Sequence, residues 1–84
     1  MNVYYDRLES PVGPLFAAVD EGGALVRLTF LDDPDGEGVE RRRLAAENGV
    51  EPRHSPERCA AVAAQLGEYF AGHRRHFDLP LAPR

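Results

Sequence analysis

The sequence predicts an α+β fold in which a three-stranded antiparallel meander is packed by one long amphipathic helix. Three observations carry this expectation. Two turn signals, Ser10-Pro11-Val12-Gly13-Pro14 and Asp20-Glu21-Gly22-Gly23, divide the first thirty residues into three short runs; proline presets φ near −65° and glycine accepts positive φ, which is turn chemistry. Connections this short cannot hold a crossover, so neighbouring strands must run antiparallel. From Ser55 onward, apolar residues recur at the i, i+3, i+4, i+7 spacing of a one-sided helix.

In chain order, Val3 to Ser10 alternates, with Tyr4 and Leu8 on one face and Tyr5 and Arg7 on the other. Leu15 to Val19 forms the second strand. Ala24 to Phe30 forms the third, with Ala24, Val26, Leu28 and Phe30 on one face and Arg27 and Thr29 opposite. A polar loop over Asp32-Asp33-Pro34-Asp35-Gly36-Glu37-Gly38 leads into a short helix from about Val39 to Asn48, ended by Asn48-Gly49, a pair suited to a left-handed cap. Its thin apolar content predicts a loosely attached surface helix. The second helix has Ser55 as N-cap, Pro56 at the first helical position, Glu57 at the positive end and Gly72 as terminator. Its stripe is Cys59, Val62, Ala63, Leu66, Tyr69 and Phe70, and one sheet face is the surface available to cover it. His76 to Leu81 reads as extended, with Pro80 restricting it to a strand end or sheet edge.

At 84 residues the chain is one small domain. It is 43% hydrophobic and 29% charged, with no apolar run near the roughly 20 residues of a membrane span, so the expectation is a soluble, non-membrane protein. The opening residues carry neither a basic nor an apolar leader segment. A single cysteine excludes an internal disulfide and fits a reducing compartment, giving a cytoplasmic expectation. The net charge is −4, and all ten basic residues are arginine. A free-standing duplex binder gathers a basic surface to displace phosphate counterions, and this balance argues against one. Arg41-Arg42-Arg43 is flanked by Glu37, Glu40 and Glu47, so local ion pairs such as Glu37 with Arg41 account for it better than phosphate contacts.

Cys59, the single possible sulfur nucleophile, lies on the buried stripe, where a thiolate has neither access nor a base. His73 and His76, with His54 or Cys59, lack the second cysteine and the common helix face that a zinc site would use. Asp6, Glu9 and Asp20 are the carboxylates a metal-dependent nuclease could use, but two of them sit at strand ends, where acidic residues serve solubility. No phosphate loop, Ser/His/Asp signature or aromatic platform for single strands is present. Neither catalytic, cofactor-binding nor metal residues are therefore assigned, and no cofactor is expected.

At ESPVGPLFAAVDEGGALVRLTFLD followed by AAQLGEYFAGHRRHFDLPLAP, the chain resembles the N-terminal domain of methylated-DNA-protein-cysteine methyltransferases, the O6-alkylguanine repair proteins. Ser10 to Leu15 looks like the family's opening turn, Gln65 to Gly72 like its helix end, and Phe77 to Leu81 like its lead into the next domain. The resemblance implies a ribonuclease H-like topology across residues 1–84. It also implies a C-terminal catalytic domain with a helix-turn-helix and a Pro-Cys-His-Arg motif that flips the damaged base and takes its alkyl group irreversibly. Arg58-Cys59-Ala60-Ala61 does not match that motif, so no catalytic residue carries over. Some relatives bind a structural zinc, but the strands here lack the cysteines for it. The expected role is a non-catalytic scaffold whose partner is the catalytic domain, in cis or in trans, with DNA reached only through that domain. A homodimer through the exposed inter-domain surface, around Phe77, Leu79 and Leu81, and a small metal-dependent nuclease are the alternatives.

Overall fold

A computed structural model describes residues 2–72. The meander is present as β1 (Val3–Leu8), β2 (Leu15–Asp20) and β3 (Leu25–Phe30), followed by α1 (Gly36–Asn48), β4 (Arg53–His54) and α2 (Ala60–Phe70). Strand β1 pairs antiparallel with β2 from Val3 opposite Asp20 to Leu8 opposite Leu15. The Ser10 hydroxyl closes the first turn by donating to the Gly13 carbonyl at 2.6 Å. In the second turn, the Asp20 carboxylate accepts from the Gly22 and Ala24 amides, both at 2.9 Å.

The three-stranded antiparallel sheet expected from the sequence is corrected by a fourth strand. The sheet order is β3-β2-β1-β4, with β4 parallel to β1, placing Arg53 beside Tyr4 and His54 beside Tyr5. Two exposed polar residues show no strand periodicity, so the signal was invisible in sequence. What holds them is the backbone, extended by the Ser55 amide donating to the Tyr5 carbonyl at 2.9 Å, and the burial of Pro52 just before.

A helix covers each face of the sheet, so β2 is buried on both sides. On one face, Leu8, Leu15, Ala17 and Val19 meet Cys59, Val62 and Leu66 below α2. On the other, Val3, Tyr5, Phe16 and Ala18 meet Leu31 and Leu44. Helix α1 is consequently no loose surface helix. Leu44 is fully enclosed, and Arg27 reaches from β3 to Glu40 and Glu47 at 3.0 and 3.1 Å. One well-placed leucine and a cross-element ion pair do what a stripe would have done. The helix also begins earlier than Val39, at Gly36. A Cβ at Gly36 would lie 3.2 Å from Leu31 Cδ2, so glycine lets the first turn fold close over that buried side chain. At the other end, Gly49 adopts φ 72° and its amide donates to the Ala45 carbonyl at 2.8 Å, the left-handed cap the sequence predicts.

Two further expectations change. A bulge between Ala18 and Val19 on the β2–β3 ladder brings Val19 opposite Leu25 and Ala18 opposite Arg27. Val26 therefore packs into the α1-side cluster instead of sharing a face with Leu28 and Phe30. Helix α2 begins at Ala60, five residues after Ser55. Ser55 is therefore not the N-cap: that position falls to Cys59, without a side-chain cap bond, and the Ser55 hydroxyl instead accepts from the Arg58 amide at 3.3 Å within the turn of residues 56–59 that precedes the helix. Of the predicted stripe, Cys59, Val62 and Leu66 are buried, whereas Ala63 and Tyr69 are exposed. Gly72, at φ 80°, follows the helix as its terminator.

Candidate functional site

Cys59 sits immediately before α2 with no accessible surface. Its thiol lies 3.9 Å from the carbonyls of Tyr4 and Ala17, wedged between helix and sheet. Burial, and secondarily the Asp6 carboxylate, push its pKa up from 9.0 to about 11. At neutral pH the sulfur is therefore a protonated, enclosed thiol, the opposite of an activated nucleophile.

The candidate carboxylates do not converge. Asp6 accepts from His54 Nε2 at 2.9 Å and from the Arg7 amide. Glu9 is paired with Arg7 at 3.1 Å, and Asp20 is occupied by its turn. Among the described residues, no group of three or more His, Cys, Asp or Glu side chains could hold a metal ion. His54 is drawn to Asp6 and to the Tyr5 ring, with centroids 5.3 Å apart, and lies apart from Cys59 in role and exposure. His73, His76 and the Phe77, Leu79, Leu81 patch lie outside the described residues. With one cysteine in the chain, and that one sealed in the core, the donor set does not fit a cysteine-held structural zinc.

The arginine triplet is largely absorbed locally. Arg41 lies 3.9 Å from Glu37 and over the Tyr5 ring, and Arg43 lies 3.7 Å from Glu40. Sequence reasoning anticipated the Glu37 pair, but missed that Glu40 and Glu47 serve Arg27 across the fold.

What remains is surface. Leu28, Phe30 and Tyr69 are the large apolar side chains exposed on the α2 side, at 36%, 53% and 44%. With Leu15, Leu66 and Phe70 they border a shallow apolar cavity of about 220 Å³ between β3 and the end of α2. Among the described residues no helix is long and apolar enough to cross a membrane.

Two helices on a four-stranded mixed sheet, with an enclosed thiol between them, define a small α+β domain. A family profile described as the ribonuclease-like domain of 6-O-methylguanine DNA methyltransferase matches residues 3–83, and the chain belongs to that family. The methylated-DNA–protein-cysteine methyltransferase of Methanosarcina barkeri is 38% identical over 81 residues, covering 96% of this chain and 45% of that protein. The Methanosarcina mazei protein of the same name is 35% identical over 82 residues, covering 98% and 46%. In structure, a variant of Mycobacterium tuberculosis OGT superposes with TM-score 0.65 at 29% identity, over 98% of this chain and 43% of that one. A variant of the Mycobacterium tuberculosis O6-methylguanine methyltransferase gives TM-score 0.61 at 30% identity, with the same coverage. The chain thus spans somewhat less than half the length of these relatives.

Proposed function

We propose that this chain is the non-catalytic scaffold domain of an O6-alkylguanine repair protein. On this reading it packs against the family's catalytic domain, in cis or in trans, and positions that domain on DNA without donating to or accepting from the lesion itself. The ribonuclease H-like arrangement fits the same proposal: the antiparallel meander followed by a strand parallel to β1 is the frame, and the fold label carries no nuclease activity with it. The single observation behind the reading is the state of Cys59. The relatives are named for methyl transfer to a protein cysteine, and the one cysteine here is enclosed and held protonated.

The test is direct. The chain is incubated with duplex DNA carrying radiolabelled O6-methylguanine, and its mass and label are followed. No transfer is expected; methylation of Cys59 would overturn the proposal. Adding a separately produced catalytic domain of the family tests the second half, with a shift in sedimentation on mixing as the expected result.

A further inference from the structure

The chain has two asparagines, Asn2 before Val3 and Asn48 before Gly49. An asparagine is open to attack by the backbone amide nitrogen of the next residue on its own side-chain carbon. Glycine puts no side chain in the way of that approach, whereas a β-branched valine obstructs it. Asn48 is therefore the reactive one by local chemistry, and the fold restrains it. Its Nδ2 donates back along α1 to the Leu44 carbonyl at 2.9 Å, and the Gly49 amide donates to the Ala45 carbonyl at 2.8 Å. Nucleophile and target are each tied to a different carbonyl, and the last turn has to open to free both. That opening is local. Leu44 is fully enclosed and anchors the helix one turn earlier, while none of residues 45–49 is buried.

We propose that Asn48 is a site of spontaneous deamidation, gated by opening of the last turn of α1, and that the conversion releases that turn irreversibly. The Gly49 nitrogen bonds to Asn48 Cγ, and the Cγ–Nδ2 bond breaks. Nδ2 leaves as ammonia, taking up the proton given up by the Gly49 amide, and a cyclic imide remains. Water then adds to either imide carbonyl, breaking its bond to the nitrogen and leaving aspartate or isoaspartate at position 48. No oxidant or cofactor enters. Either product loses the Nδ2 donor and sets an anionic oxygen toward the Leu44 carbonyl, at the negative end of the helix dipole. The last turn carries no basic residue to offset that charge, and Glu47 precedes it. Isoaspartate also inserts an extra backbone carbon where Gly49, at φ 72°, must close the helix. The turn that carries Glu47 to Arg27 is thus loosened without a route back. The inference does not rest on the scaffold reading, and methyl transfer to Cys59 would leave it untouched.

The experiment follows the whole chain at neutral pH, native and in guanidinium chloride, by peptide mass mapping over time. In denaturant, Asn48 should convert to a mixture of aspartate and isoaspartate while Asn2 stays intact. In the native protein the same conversion should run slower by about tenfold to a thousandfold, the range of a local opening. Asn48 that survives in denaturant as well as Asn2 does overturns the inference. Equal rates in the two conditions remove the gate and overturn it too, as does native protein with no conversion in the time a thousandfold slowing would reveal, since the gate would then be global unfolding. The consequence is read separately by thermal unfolding. Asn48→Asp should lower the midpoint by about 4–8 °C and fall below Asn48→Ala, which loses the donor without gaining the charge. An Asn48→Asp midpoint equal to that of wild type, or above that of Asn48→Ala, overturns the proposed release of the turn.

Discussion

Leu44 is the one residue of α1 that is fully enclosed, and it seats that helix on the Val3, Tyr5, Phe16 and Ala18 face. Leu44→Ala should cost about 2–5 kcal/mol, since a close-packed neighbourhood cannot fully collapse into the void. For a domain whose whole stability is roughly 4–13 kcal/mol, urea denaturation should show a large drop, while Val12→Ala on the exposed turn should be near neutral. Cys59 predicts a pH dependence. Its folded-state pKa is raised from 9.0 to about 11, so the unfolded chain releases the thiol proton first. The contribution is whole below pH 9, falls as pH rises, and is lost by about pH 11, on the order of 2–3 kcal/mol in total. Stability of Cys59→Ala should lack this component of the decline between those values. A wild-type profile with the same slope as the variant would contradict the enclosed thiol.

Among the elements, α1 is held as much by its ends and its ion pair as by apolar contact. Gly49 sits at φ 72°, a conformation that costs any residue with a Cβ, so Gly49→Ala should lower stability by about 1 kcal/mol, measured by thermal unfolding. Arg27 bridges β3 to Glu40 and Glu47, and its Nε is buried without a hydrogen-bond partner. The pair therefore orients α1 more than it stabilises it. Arg27→Ala, which strands the largely buried Glu40, should cost more than Arg27→Met combined with Glu40→Gln; a double-mutant comparison by urea denaturation checks the order. The meander, both turns and the Gly49 cap were legible because each rests on short-range chemistry. Strand β4, the earlier start of α1 at Gly36 and the later start of α2 at Ala60 were not, because each depends on what a distant element offers: the open side of β1, the Leu31 side chain, the surface beneath Cys59.

At the scale of the molecule, β2 is the shared wall of two cores, with Leu15, Ala17 and Val19 facing α2 and Phe16 and Ala18 facing α1. Neither side can open without stripping an inner strand, so unfolding should be a single transition. Exposure of Cys59 to a thiol reagent, which reports the α2 side, and tyrosine fluorescence of a Tyr4→Phe, Tyr69→Phe variant, which leaves Tyr5 to report the α1 side, should move together with denaturant. Separate midpoints would show two independent halves. The candidate site divides the same way. Enclosure of Cys59 followed from its helical spacing, whereas the occupation of Asp6 by His54 joins residues 48 positions apart and left no local trace.

The amino-acid order alone determined the antiparallel meander, the helix over it and the burial of the one cysteine, because alternation, helical spacing and turn chemistry act within a few residues. The tertiary structure decided that a second helix closes the opposite face, that a parallel strand completes the sheet, and that Arg27 is turned onto Glu40 and Glu47 of α1. Those outcomes depend on which surfaces meet once the chain has collapsed, and long-range pairing of backbone and ions writes no period into a sequence.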